Sequence, residues 1–341
     1  MLGFVAGTLV FALLALADRF SPSHLFFTSC LAGAACNVLI IWLARDSSSL
    51  IVLRFLTGFC IAGIYPVGMK IAADWYEKGL GKALGFLVGA LVFGTAFPYL
   101  LKNRDFELPW RSVLIYTSVF AIIGGLIILF FVGDGPYRKA SGKLQWTALE
   151  QIFASKKWRQ AAFGYFGHMW ELYTFWGFLP VIISLYADRN HLSLDTSLIS
   201  FLVIAAGGIG CMVGGYISEK TGSARVASVA LFISGLCCLV SPLWYSLPPW
   251  LFLSLLVIWG FAVCPDSPQF STLAAQYAPA HLRGTALTIY NSIGFLITSL
   301  SLFIFDRLIH SGLFLSGTHS FPLLALGALF GLPFILKLAR R

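Results

Sequence analysis

Apolar residues run through this chain in long unbroken stretches, without the strict alternation of a half-buried strand or the one-sided stripe of a surface helix. Eleven such runs stand out, at 3–17, 25–44, 50–72, 83–101, 113–132, 161–186, 196–217, 226–245, 250–270, 284–305 and 321–338. A helix crosses a hydrocarbon core of roughly 30 Å in about 20 residues. Lipid offers no partner to a free N–H or C=O, so each run predicts a helix that satisfies its backbone internally. The first run ends in Ala15-Leu16-Ala17, which resembles a cleavage site, but no basic residues precede it as they would in a signal peptide.

The polar segments between the runs carry an orientation signal. If the segment at Asp18 and Arg19 faces the cytoplasm, sixteen of the 23 basic residues fall on that side and six on the other, with Arg54 inside a span. This asymmetry obeys the positive-inside rule and predicts an outside start and a cytoplasmic C-terminus. The longest polar stretch, 133–160, holds six of those basic residues and predicts a cytoplasmic linker, with an amphipathic helix around 144–153 lying on the membrane surface. The expected organisation is a five-span bundle over 1–132, the linker, and a six-span bundle over 161–341.

Composition sharpens the picture. Hydrophobic residues make up 58% of the 341 and charged residues 11%, against about a quarter charged in soluble domains. The mean hydropathy is +0.85, so lipid is the main solvent. The net charge of +9 reads as loop orientation and not as a nucleic-acid surface. The seven cysteines lie in apolar runs without a C-x-x-C pair, which fits packing better than metal or redox chemistry. No Walker A sequence, H-E-x-x-H pair or G-x-S-x-G elbow appears, so neither an enzyme nor a cofactor is expected.

A repeat with an offset of about 201 residues links the two halves. Asp18-Arg19 closes the first span and Glu219-Lys220 the seventh; Gly58 matches Gly260, Pro66 matches Pro268, and Lys82 matches Arg283. The matched spans run in the same direction, which predicts pseudo-symmetric halves related by an axis along the membrane normal.

These residues resemble the major facilitator superfamily along essentially the whole chain. The family's loop motif, roughly G-x-x-x-D-R-x-G-R-K, keeps Asp18 and Arg19 in the first copy, with Leu14, Ser21, Pro22 and Ser23 replacing other positions. The second copy keeps Gly215, Glu219, Lys220 and Gly222, with Arg225 further along. The family's fourth-helix motif is matched by Arg54, Gly58, Gly63 and Pro66. The resemblance implies an all-α polytopic fold of two helix bundles, with eleven transmembrane helices present of an expected twelve. A misplaced start, a truncated gene product and a genuine eleven-span protein all fit that count. It also implies that the loop acid and base form a cytoplasmic gate. The run 167–178 is similar to bacterial facilitators grouped with nitrate and cyanate permeases.

Ionisable groups inside the hydrocarbon are costly and mark polar cavities. His168 and Glu171 sit near the middle of the sixth run at i, i+3, on one helix face, with Trp170 and Tyr173 as cavity walls. The expected chemistry is a carboxylate–imidazole proton relay, or else a structural hydrogen bond between helices. Arg54 would attract an anion or anchor a carboxylate from a neighbouring helix. Asp266, between Pro265 and Pro268, predicts a broken helix that serves as a gate, with the acid capping the restarted segment. Tyr290 and Asn291 would contact substrate or hold helices together.

The function these features imply is secondary active transport, by alternating access, of a small polar and anionic solute, with protons as the coupled ion. The expected setting is a monomer among lipids in a bacterial inner membrane, with no nucleic-acid partner. Export of apolar or cationic compounds, with Glu171 as counter-charge, is the alternative, as is an inactive truncated transporter.

Overall fold

The computed structural model describes residues 1–102, 109–139, 147–310 and 318–340, and the regular structure among them is helical. Its α-helices are α1 (Leu2–Leu13), α2 (Leu16–Arg19), α3 (Pro22–Leu43), α4 (Ser47–Ile61), α5 (Tyr65–Trp75), α6 (Leu80–Lys102), α7 (Trp110–Ile127), α8 (Ala148–Ala154), α9 (Lys156–Arg189), α10 (Thr196–Thr221), α11 (Ser223–Trp244), α12 (Pro249–Ala262), α13 (Asp266–Tyr277), α14 (Arg283–His310) and α15 (Ala325–Ala339).

Among the described residues, nine helices are long and apolar enough to cross a bilayer, where the apolar runs predicted eleven. Two expected spans fall short of that measure for different reasons. α1 has only 12 residues, because the chain turns at Leu14 and Ala15, and Ala15 takes a left-handed conformation at φ 50°. α9 has ample length at 34 residues, but polar groups such as His168 and Glu171 interrupt its apolar face.

α9 begins at Lys156, before the expected 161. Ser155 supplies the reason, since its hydroxyl accepts from the Trp158 N–H and caps the first turn. The amphipathic helix expected at 144–153 appears as α8, and its first residues, 144–146, lie outside the described residues. Of the basic residues counted in the loops, Arg104, Lys143 and Arg341 also lie outside them.

The third and ninth runs are interrupted helices. α4 stops at Ile61 and α5 restarts at Tyr65 with Pro66 in its first turn. α12 stops at Ala262 and α13 restarts at Asp266 with Pro268 in its first turn. A proline's missing N–H costs nothing in a first turn, where no intrahelical acceptor waits. The repeated glycines pack alike. A side chain on Gly58 would come within 3.1 Å of the Phe4 N of α1, and one on Gly260 within 2.2 Å of the Val203 O of α10. Pro66 and Pro268 therefore mark equivalent breaks, and Gly58 and Gly260 mark equivalent close helix crossings.

The chain forms two compact units. The first comprises Met1–Leu80, Leu108–Trp158 and Ala274–Leu296; the second comprises Gly81–Glu107, Arg159–Leu273 and Ile297–Arg341. In the first, α3 packs on α4 and α7, and α1 on α4; in the second, α10 packs on α12 and α11 on α15.

Candidate functional site

The second unit holds a buried cluster of ionisable groups centred on α9. His168 and Glu171 lie three residues apart on this helix, yet the structure does not pair them. His168 Nδ1 lies 3.0 Å from Asp266 Oδ1, with both side chains buried. Its ring stacks on Tyr165 at 5.8 Å between centroids, and its Nε2 is buried without a hydrogen-bond partner among the described residues. Asp266 reaches this position because the break at Val263–Pro265 ends α12 and makes the acid the first residue of α13.

Glu171 turns instead towards α11 and α12. Its Oε1 accepts from Trp259 Nε1 at 2.9 Å and Cys238 Sγ at 3.2 Å, and its Oε2 from Ser234 Oγ at 3.1 Å. The expected imidazole–Glu171 pair is thus corrected to His168–Asp266. Positions i and i+3 on a helix differ by about 60° in direction, enough for different neighbouring helices to supply their partners. Glu171 remains within electrostatic reach of both His168 and Asp266.

Other expected cavity residues are engaged structurally. The Trp170 indole donates to the Leu323 carbonyl at 3.0 Å and meets Phe305 edge-on, so it ties α9 to the segment before α15. Tyr173 packs edge-on against Trp176 at 5.2 Å. Tyr290 and Asn291 are buried on α14 in the first unit, where Asn291 Nδ2 donates to the Leu287 carbonyl of its own helix at 2.7 Å.

Arg54 also lies in the first unit. Its Nη1 donates to Asn37 Oδ1 at 3.2 Å, and Asn37 Nδ2 in turn faces the Leu114 carbonyl, Thr117 and Ser118. Among the described residues no carboxylate pairs with Arg54, so the expected acidic anchor is replaced by an amide that links α4, α3 and α7.

A second charged centre forms in the first unit around the loop motif. Asp18 is buried at the start of α14, where its Oδ1 accepts from the Gly284 N–H at 2.8 Å and its Oδ2 accepts from the Thr285 N–H at 2.6 Å and hydroxyl at 2.7 Å. A carboxylate is well suited to this place, because the first N–H groups of a helix lack internal partners and carry partial positive charge. Lys70 Nζ lies 3.9 Å from Asp18 and hydrogen-bonds Asp74, and Asp74 lies 3.9 Å from Arg283. Arg283 completes the chain by donating to the carbonyls of Ala73 and Ala275, both at 3.1 Å.

Arg19 stays out of this network. It donates to the Leu14 carbonyl at 3.4 Å and lies over the Phe20 ring. The expected acid–base pair is therefore replaced by an acid–helix contact, and the half-buried Arg19 side chain keeps to the turn before α2. Sequence reasoning missed Lys70 and Asp74 as members of the site. Their i, i+4 spacing at the end of a span was the available signal.

The residues that replace the rest of the motif have partners of their own. Asp134 accepts from Ser21 Oγ and Ser23 Oγ, each at 2.7 Å, from Ser23 N at 2.9 Å and from Arg138 Nη1 at 2.8 Å. Arg138 also donates to the Phe20 carbonyl. Together they fasten the segment after α7 to the start of α3.

The second copy repeats the plan in weaker form. Glu219 pairs with Lys82 of α6 at 3.5 Å, with both side chains partly exposed, and Lys82 lies over the Tyr216 ring. Gly215 lets the backbones approach, as a side chain there would sit 3.1 Å from Lys82 Cα. Gly222 ends α10 at φ 87°, a conformation that only glycine adopts without strain. Lys220 is exposed. Pro265 packs on Gly214 of α10.

The Major Facilitator Superfamily model matches residues 1–302. The probable sulfoacetate transporter SauU of Cupriavidus necator is 23% identical over 244 residues, covering 65% of this chain and 56% of that protein. The nitrate/nitrite transporter NrtP of Picosynechococcus is 27% identical over 151 residues, covering 36% of this chain and 28% of that one. The crystal structure of the human organic anion transporter MFSD10 (TETRAN) superposes with a TM-score of 0.76 at 19% identity, over 98% of this chain and 81% of that one. The chain spans about half the length of the first curated relatives it matches.

Proposed function

Because the chain belongs to the Major Facilitator Superfamily and is a multi-pass integral membrane protein, we propose that it moves a small anionic solute across a bacterial inner membrane by alternating access, driven by protons. The observation that carries this reading is the buried contact of His168 with Asp266, beside Glu171. Two carboxylates and one imidazole, desolvated among aromatic rings, form a store whose charge changes with every proton taken up. Each proton removes one unit of negative charge, so an anionic solute meets less repulsion once the cluster is loaded. Asp266 is the working acid, because it sits at an interrupted backbone, whereas three donors already hold Glu171. The Asp18 carboxylate at the start of α14 serves as the cytoplasmic latch, and Lys70, Asp74 and Arg283 balance its charge.

The relatives' printed names support the choice of an anion, since they include sulfoacetate, nitrate and organic anions. One observation favours a second reading. The cluster holds more carboxylates than bases, which would suit a cationic compound carried outward. The test is transport in proteoliposomes under an inward proton gradient, following accumulation of labelled sulfoacetate and nitrate and, in preloaded vesicles, release of a labelled organic cation. We expect gradient-driven anion accumulation that Asp266→Asn abolishes while anion exchange without a gradient persists. Accumulation equal to wild type in Asp266→Asn, at equal incorporation, overturns proton coupling at this acid. Gradient-driven transport of the cation alone overturns the anion.

A further inference from the structure

The second unit also carries a groove of about 390 Å3 between α10, α11 and the end of α12. Gly210 and Gly214, one turn apart on α10, form its floor, and Pro265 closes one side, approaching the places their side chains would fill at 3.1 and 3.0 Å. The groove owes its depth to these missing side chains and to the break that places a proline ring where a helix would have continued. Its outer walls are exposed apolar side chains, with Val229 58% accessible and Ile217 47%.

In water such a surface would call for a protein partner. Here α10 and α11 are both long and apolar enough to span a bilayer, so the medium at the groove is hydrocarbon. The groove follows α11 from Arg225 to Ile233, which at 1.5 Å per residue is about 12 Å, close to the depth of one leaflet of a roughly 30 Å core. At its outer end stand Thr221 and Arg225, on either side of the turn at Gly222. Arg225 makes no ion pair or hydrogen bond among the described residues. Lys220, which precedes Thr221 in the chain, is exposed and does not line the groove, and the acid before it, Glu219, is already paired with Lys82. A long basic side chain can lay its methylenes along an apolar wall and keep its charge at headgroup depth.

We propose that this groove binds an anionic phospholipid, with one acyl chain against Gly210, Gly214 and Pro265 and the phosphate at Arg225. Shape selects the chain, and charge selects the headgroup. A single basic residue near an anionic surface contributes about fivefold in binding.

The test uses the full chain in phosphatidylcholine nanodiscs containing a small fraction of phosphatidylglycerol with a photoactivatable diazirine on its acyl chain. After irradiation, labelled peptides are mapped by mass spectrometry. Label is expected on α10 and α11 around Val213 and Val229, at about five times the level given by a phosphatidylcholine probe of the same chain. Arg225→Gln should remove that difference and leave the phosphatidylcholine label in place. Val229→Trp should fill the groove and displace both labels, with thermal unfolding showing that each variant remains folded. Absence of label from the groove, equal labelling by the two probes in the wild type, or a headgroup preference that survives Arg225→Gln overturns the proposal.

Discussion

Replacing Asp18 with asparagine probes the proposed latch at the start of α14 with almost no change in volume. The carboxylate accepts three hydrogen bonds, from the N–H groups of Gly284 and Thr285 and the Thr285 hydroxyl. Asparagine keeps one acceptor oxygen. If that oxygen faces Thr285, an amide NH2 group faces the Gly284 N–H, and a donor meets a donor. Hydrogen bonds to a charged group contribute about 1.5–3 kcal/mol each and neutral ones about 1. Losing one charge-assisted bond and weakening two gives about 3 kcal/mol, or roughly two powers of ten in the equilibrium between latched and open. The assay is hydrogen–deuterium exchange of the two amides themselves, followed in a peptide covering the start of α14. Their place in the first turn leaves them without intrahelical acceptors, so their protection comes from Asp18. In Asp18→Asn both should exchange about a hundredfold faster, with the interior of α14 unaffected. Rates within threefold of wild type would show that the carboxylate does not hold this helix, and the latch would have to be abandoned.

Two further expectations concern other buried or paired carboxylates. Glu171→Ala leaves the Trp259 indole N–H without its acceptor, while Ser234 can still turn to the Leu231 carbonyl. An orphaned donor and a new cavity should together cost about 3 kcal/mol, so thermal unfolding should come clearly earlier than in wild type, and an unchanged midpoint would contradict the bonding described. At Asp134, burial pushes the carboxyl up, but the hydrogen bonds from Ser23 and Ser21 and the charge of Arg138 outweigh it and hold the group below its ordinary value of 3.8. A folded-state pKa below the unfolded one means that its stabilisation is complete above the ordinary value and is lost as pH falls through the lowered one. The stability gap between wild type and Asp134→Ala, followed by unfolding at stepwise lower pH, should therefore close on acidification, and a gap constant with pH would refute the assignment.

Long apolar runs determined by themselves that the chain is helical and lipid-embedded, because hydrocarbon leaves a backbone no alternative to internal hydrogen bonds. The offset repeat was equally legible: Pro66 and Pro268 mark equivalent breaks, and Asp18 and Glu219 each meet the first turn of a helix, at Thr285 of α14 and Lys82 of α6. Such features are local, since a proline or an acid at the end of a span carries its consequence in its own chemistry. The partners of the buried charges were not legible in this way. His168 and Glu171 share a helix face, yet one meets Asp266 and the other Trp259, Cys238 and Ser234. Asp18 selects the amides of α14 while Arg19, its neighbour, turns to the Leu14 carbonyl. Only the packing of helices distant in sequence decides which donors surround a buried carboxylate, and the cost of leaving any charge unpaired in a low-dielectric interior makes that choice binding.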